Sequence, residues 1–237
     1  MKSERKTAIV TGALFIIATV ASIVGNNFTG PLLSASDYLT KISVNANSIL
    51  VGALLTLIAA ATSAGIAIAL YPVLIKYNKG LALGAVGFRL IEAVFYIVGA
   101  LCKVSVLVVS QQFINAGNQN VATFQIIGKL LLATSDLAGF CFGVIAFCLG
   151  AAMYYVIMYQ ARLIPRWLSG WGMIALVVML IAVFITLFDG EPYSVSGNLI
   201  YLALPIALQE MVLAVWLIVK GFNPSAIAAE SDRAGVD

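Results

Sequence analysis

The stretch SILVGALLTLIAAATSAGIAIALYPVLI, Ser48–Ile75, decides the fold of this chain. It contains no charged side chain, and it is longer than the roughly 20 apolar residues that a helix needs to cross a bilayer core. Its apolar residues are continuous, whereas the strands of a membrane barrel alternate between apolar and polar residues. The stretch therefore predicts a membrane-spanning α-helix.

Five further runs of the same kind extend this prediction to the whole chain. Of its 237 residues, 62% are hydrophobic and 10% are charged, whereas soluble domains are about half apolar and a quarter charged. The first run follows Lys2, Arg5 and Lys6 like a signal peptide, but its long apolar core and the poor cleavage site TVAS favour a retained helix. We expect an all-α, polytopic membrane domain over 1–221, followed by a polar cytoplasmic tail over 222–237. The six predicted helices cover about 8–24, 48–75, 81–109, 129–158, 167–188 and 198–219.

The positive charges predict the orientation of these helices. Lys and Arg accumulate on cytoplasmic connections, and alternate connections here differ strongly in their number. Both termini are therefore expected in the cytoplasm, with the chain in a bacterial inner membrane, 25–47 and 110–128 as outer loops, and anionic lipid as a partner. No basic stripe with interleaved aromatic residues indicates nucleic acid. The inner group is Lys2, Arg5, Lys6, Lys76, Lys79, Arg162, Arg166, Lys220 and Arg233, against Lys41 and Lys129 outside, where Asp37, Asp189 and Glu191 also lie.

The third run carries charges inside the membrane, in the segment GFRLIEAVFY, Gly87–Tyr96. Five isolated charges at helix centres would cost roughly 12 to 17 kcal/mol, as much as the total stability of a domain, about 5 to 15 kcal/mol. We therefore expect Arg89 to bridge Glu92 and Glu210 in one layer, and Lys103 to meet Asp136 in an outer layer. The spacing places one polar face within an arc of about 80°: Arg89, Glu92, Tyr96, Gly99 and Lys103.

The fourth run has a seam of small residues on one helical face. Such a seam lets another helix approach closely. It predicts packing within the bundle, with dimerisation or docking of a membrane partner as the alternative. The seam residues are Gly139, Gly143, Ala146 and Gly150, flanked by Asp136 and Tyr154.

The residue types present narrow the possible chemistry. The chain has no histidine, so zinc hydrolases, Ser-His dyads and His-ligated haem lack their candidate residues. No GxGxxG or P-loop motif indicates a nucleotide cofactor. We expect no catalytic residues, no metal and no cofactor. Three functions stay open: a polar pocket that binds or passes a small solute, an ion or a proton, a structural or accessory protein, and an enzyme acting on lipid.

Three stretches carry a family resemblance. They are RKTAIVTGALFIIA from Arg5, LYPVLIKYNKGLALGAVGFRLIEA from Leu70, and RLIPRWLSGWG from Arg162. The chain resembles a bacterial multi-pass membrane family known as domain of unknown function 4386, whose F-R-x-x-E-A element matches Arg89 and Glu92. The resemblance implies a helical bundle in the inner membrane, and it implies no substrate, reaction or cofactor.

Overall fold

Long helices form the regular structure of this chain, as its apolar runs predict. The computed structural model describes residues 2–117, 119–190 and 200–228, and its described part contains helices and no strand. Six helical spans in this part are long and apolar enough to cross a membrane, and the fourth of them, Val121–Gln160, is interrupted by a π-helical turn. The elements are α1 Lys2–Leu33, α2 Tyr38–Val44, α3 Ala46–Leu74, α4 Lys79–Asn115, α5 Val121–Asp136, the π-helical turn Leu137–Gly143, α6 Val144–Gln160, α7 Arg166–Asp189 and α8 Ile200–Val219.

The predicted outer loops are largely helical, which corrects their assignment. Helix α1 continues through the amide- and glycine-rich segment to Leu33, and α4 continues to Asn115. A helix predicted from its apolar residues ends where polar residues begin, because only the part that crosses the bilayer must be apolar. The helical hydrogen bonds continue beyond that point. The Thr29 hydroxyl, for example, donates to the Gly25 carbonyl oxygen at 3.1 Å, so this polar side chain is satisfied by its own helix. Residues 198 and 199 of the last predicted helix lie outside the described residues.

Helix α2 forms a cap over one end of the bundle. The Tyr38 hydroxyl donates to the Gln125 carbonyl oxygen at 3.1 Å, and the Ser110 hydroxyl donates to the Leu39 carbonyl oxygen. The ring of Tyr38 occupies the space beside Gly128, where an added Cβ would clash with its hydroxyl oxygen. The cap therefore ties α2 to both α4 and α5.

The spanning helices close into a ring. Helix α1 packs on α3, α3 on α4, α4 on α6, α6 on α7, α7 on α8, and α8 returns to α1. At the closing contact, the Arg5 guanidinium donates to three carbonyl oxygens at the end of α8: Leu217 at 3.1 Å, Ile218 at 2.6 Å and Val219 at 3.3 Å. These carbonyls have no partner within their own helix, so Arg5 acts as a C-terminal cap from a different element.

The opposite end from the cap carries most of the positive charge. Lys76 pairs with Glu4 at 3.2 Å, which brings the connection between α3 and α4 to the start of α1. Residues 222–228 fold back onto this end, with Phe222 and Ile227 buried, so the predicted tail begins as a packed segment. The tail residues 229–237, with Arg233, and the outer residue Glu191 lie outside the described residues. We call this end the basic end, after its cations Arg5, Lys6, Lys76, Lys79, Arg162, Arg166 and Lys220.

Candidate functional site

Arg89 and Glu92 form a buried ion pair on the inward face of α4. Each side chain is 2% exposed, and Arg89 Nη1 lies 3.1 Å from Glu92 Oε2. Positions three apart are neighbours on a helix surface, so the backbone itself places the two groups together. The angles at these two atoms do not meet hydrogen-bond geometry, so the contact between them is a charge pair.

Ser63 of α3 forms a hydrogen bond with each member of this pair. Its hydroxyl donates to Glu92 Oε1 at 2.8 Å, while its carbonyl oxygen accepts from Arg89 Nε at 3.3 Å. The sequence prediction missed Ser63, although a serine among small residues in a charge-free span is a signal for a helix contact. The three residues form a closed triangle, which we call the Ser63 triangle, and it fixes α3 against α4.

The seam of small residues, which runs from the π-helical turn into α6, makes room for the long side chains of α4. A Cβ added at Gly150 would lie 3.0 Å from Arg89 Cγ, and one added at Gly143 would lie 3.0 Å from Tyr96 Cε1. Phe147, on the same helix, places its ring centre 4.8 Å from the Arg89 guanidinium carbon, within the range of a cation–π contact. Ala146 is buried as well. Gly143 and Gly150 therefore pack within the chain, against α4.

The start of the seam does not follow the predicted helical face. An added Cβ at Gly139 would meet nothing within 4 Å. Lys103 and Asp136 are close enough to interact through their charges, but the described residues contain no ion pair between them. The π-helical turn begins directly after Asp136, and its i to i+5 hydrogen bonds change the angular relation between that residue and α6. In place of the ion pair, the Ser135 hydroxyl donates to the Gly99 carbonyl oxygen at 3.0 Å.

Glu210 is the third charge of the central layer, and it makes no ion pair with Arg89. The predicted bridge is therefore incomplete, because Arg89 contacts Glu92 and Ser63 and reaches Glu210 only through its field. Glu210 Oε1 is buried without a hydrogen-bond partner. The hydroxyl oxygen of the neighbouring Tyr154 is also buried and has no partner within hydrogen-bond geometry. Tyr96, the fourth residue of the predicted pocket, lies beside the Glu92 carboxylate.

A second, uncharged chain of hydrogen bonds lies next to Glu210. The Tyr155 hydroxyl donates to Gln209 Oε1 at 2.5 Å, and Gln209 Nε2 donates to the Leu168 carbonyl oxygen at 3.0 Å. These bonds join α6, α8 and the first turn of α7, and the sequence prediction contained none of them. Gln209 is thus fully engaged, whereas its neighbour Glu210 keeps a free oxygen.

The ring of long apolar helices and its buried polar layer define a multi-pass, all-helical membrane protein. Residues 10–221 match the family described as Domain of unknown function (DUF4386), and the chain belongs to this family, as the resemblance predicted. No curated protein and no solved structure matches the chain. In the described part of the chain, no group of three or more Cys, Asp and Glu side chains could hold a metal ion.

Proposed function

We propose that this chain is a non-enzymatic protein of a bacterial inner membrane that binds a proton at Glu210 and moves protons across the bilayer. The observation that carries this proposal is the buried Glu210 oxygen without a hydrogen-bond partner. A polar atom held away from water without a partner is costly, and a charged one is more so. A proton on this carboxyl group removes that charge.

The balance of charges supports the same step. The central layer contains the cation Arg89 and two carboxyl groups, those of Glu92 and Glu210. The Ser63 triangle engages Arg89 and Glu92 directly, so their charges compensate each other and Glu210 is the group in excess. Intramembrane carboxyl groups of this kind mark proton pathways in pumps and transporters.

Proton flux into vesicles tests this function. Purified protein is reconstituted into liposomes with a trapped pH-sensitive dye, and a pH gradient is imposed together with a potassium ionophore. We expect the wild type to dissipate the gradient and Glu210→Gln to abolish the flux, because an amide binds no proton at these pH values. Asp37→Asn is the matched control, because Asp37 is an exposed carboxylate paired with Lys41 at 3.1 Å outside the spanning helices. Equal flux in wild type and Glu210→Gln would refute the proposal.

The Ser63 triangle favours a second function, that of a structural or accessory membrane protein. Its charges are satisfied by protein atoms of two helices, as expected of a network that fixes helix packing. This function predicts no flux in the wild type and a membrane partner that co-purifies in stoichiometric amount. The two functions therefore give opposite results in the vesicle experiment.

A further inference from the structure

A basic groove opens at the basic end of the bundle, remote from Glu210. It lies between the connection from α6 to α7 and the end of α8, and it has a volume of about 690 Å³. Ligand pockets in proteins commonly measure roughly 300 to 1,000 Å³. Its lining combines three cations, Arg162, Arg166 and Lys220, with the apolar surfaces of Pro165, Trp216 and Phe222.

The cations of this groove are available for a ligand. Arg162, Arg166 and Lys220 are all exposed, and none of them forms an ion pair with another described residue. The carbonyl groups that end α8 would attract a nearby cation, but Arg5 already caps them. Arg166 lies over the ring of Tyr159 at 5.2 Å, which orients its guanidinium and leaves its donors free.

The backbone holds Arg162 in a conformation that an arginine rarely adopts. Its φ is 54°, in the left-handed region that usually contains glycine at the end of a helix. The next residue, Leu163, donates its amide to the Met158 carbonyl oxygen at 3.1 Å, the bond that closes this type of helix end. The Asn223 side chain also donates to the Arg162 carbonyl oxygen at 3.2 Å, so the groove has a fixed rim. Strained residues of this kind cluster at ligand-binding sites.

We propose that this groove binds the phosphate of an anionic membrane lipid, such as phosphatidylglycerol. The groove lies where α7 begins and α8 ends, and these are ends of membrane-spanning helices, at which lipid headgroups are found. Trp167, 57% exposed and stacked on Trp171, has the position that tryptophan prefers at the boundary between membrane and water. Three unpaired cations beside apolar walls suit a phosphate attached to acyl chains.

The binding of phosphatidylglycerol to the full-length chain in detergent, followed by native mass spectrometry, tests this site. The variant Arg162→Gly/Lys220→Gln removes two cations, and the glycine relieves the strained φ, so the fold is retained. We expect roughly thirtyfold weaker binding of phosphatidylglycerol and unchanged binding of phosphatidylcholine. The matched control Lys6→Gln/Lys79→Gln removes two exposed cations of the same end outside the groove, and we expect wild-type binding.

Two results would overturn this assignment. An equal loss in the control variant would show that only the total charge of the basic end matters. Competition by free inorganic phosphate as strong as that by the lipid would assign the groove to a soluble phosphate compound.

Discussion

At the scale of single residues, the burial of Arg89 and Glu92 makes their contributions to the free energy of unfolding depend on each other. Each alone is a buried charge, and removing one partner leaves the other uncompensated, at a cost of about 3–5 kcal/mol. Removing both leaves an apolar site that methionine side chains can fill. The pair therefore contributes mainly by fixing which faces of α3 and α4 meet, through Ser63.

A double-mutant cycle measures this dependence. We expect Arg89→Met and Glu92→Met each to lower the free energy of unfolding by about 3–5 kcal/mol, and the double variant to lose about 2–3 kcal/mol less than the sum. Unfolding in mixed micelles followed by circular dichroism gives the three values. Additive losses would show that the two charges do not interact.

At the scale of elements, the sequence predicted the inward face of α4 but only part of its surroundings. Regular α-helical spacing places Arg89 and Glu92 together, and a lone cation in an apolar span demands a partner. The π-helical turn, by contrast, depends on packing between helices, and no residue type in the sequence predicts it. Gly139 lies early in that turn, Gly143 is its last residue and Gly150 lies beyond it in α6, although all three share the predicted seam.

The two ends of this seam should respond differently to the same substitution. In Gly150→Ala the added methyl group meets Arg89, so we expect a net loss of about 1–2 kcal/mol in the free energy of unfolding. In Gly139→Ala the methyl group meets no atom within 4 Å, and the higher helix propensity of alanine gives no loss or a gain of up to about 1 kcal/mol. The same micelle assay compares them. Equal effects would contradict the close packing of Gly150 on Arg89.

At the scale of the whole molecule, the helices bring the cations of four separate segments to one end. The sequence predicts this gathering, because alternate connections of a helical bundle lie on the same side. It could not predict the ring closure of α8 on α1 or the cap built from α2, since both depend on contacts between distant residues. Gly12 is one of them, because an added Cβ there would meet the Ala214 carbonyl oxygen at 2.6 Å.

Chemical labelling can determine which side of the membrane the basic end faces. Basic segments stay on the cytoplasmic side during insertion, so we expect both termini there. In intact cells, a membrane-impermeant maleimide should label Lys41→Cys, in the α2 helix of the cap. It should label Lys79→Cys, at the basic end, only after the cells are opened. Both positions are exposed. Labelling of Lys79→Cys in intact cells would reverse the orientation.

The hydrogen bonds between Arg5 and the end of α8 determine when during synthesis the ring of helices can close. Arg5 and Leu217 are separated by 212 residues, so this contact forms only after the end of α8 has been synthesised. Until then, α1 and α7 each present an unpaired flank to the lipid. Insertion chaperones and membrane proteases that recognise such flanks would therefore have access to α1 and α7 until α8 has docked between them.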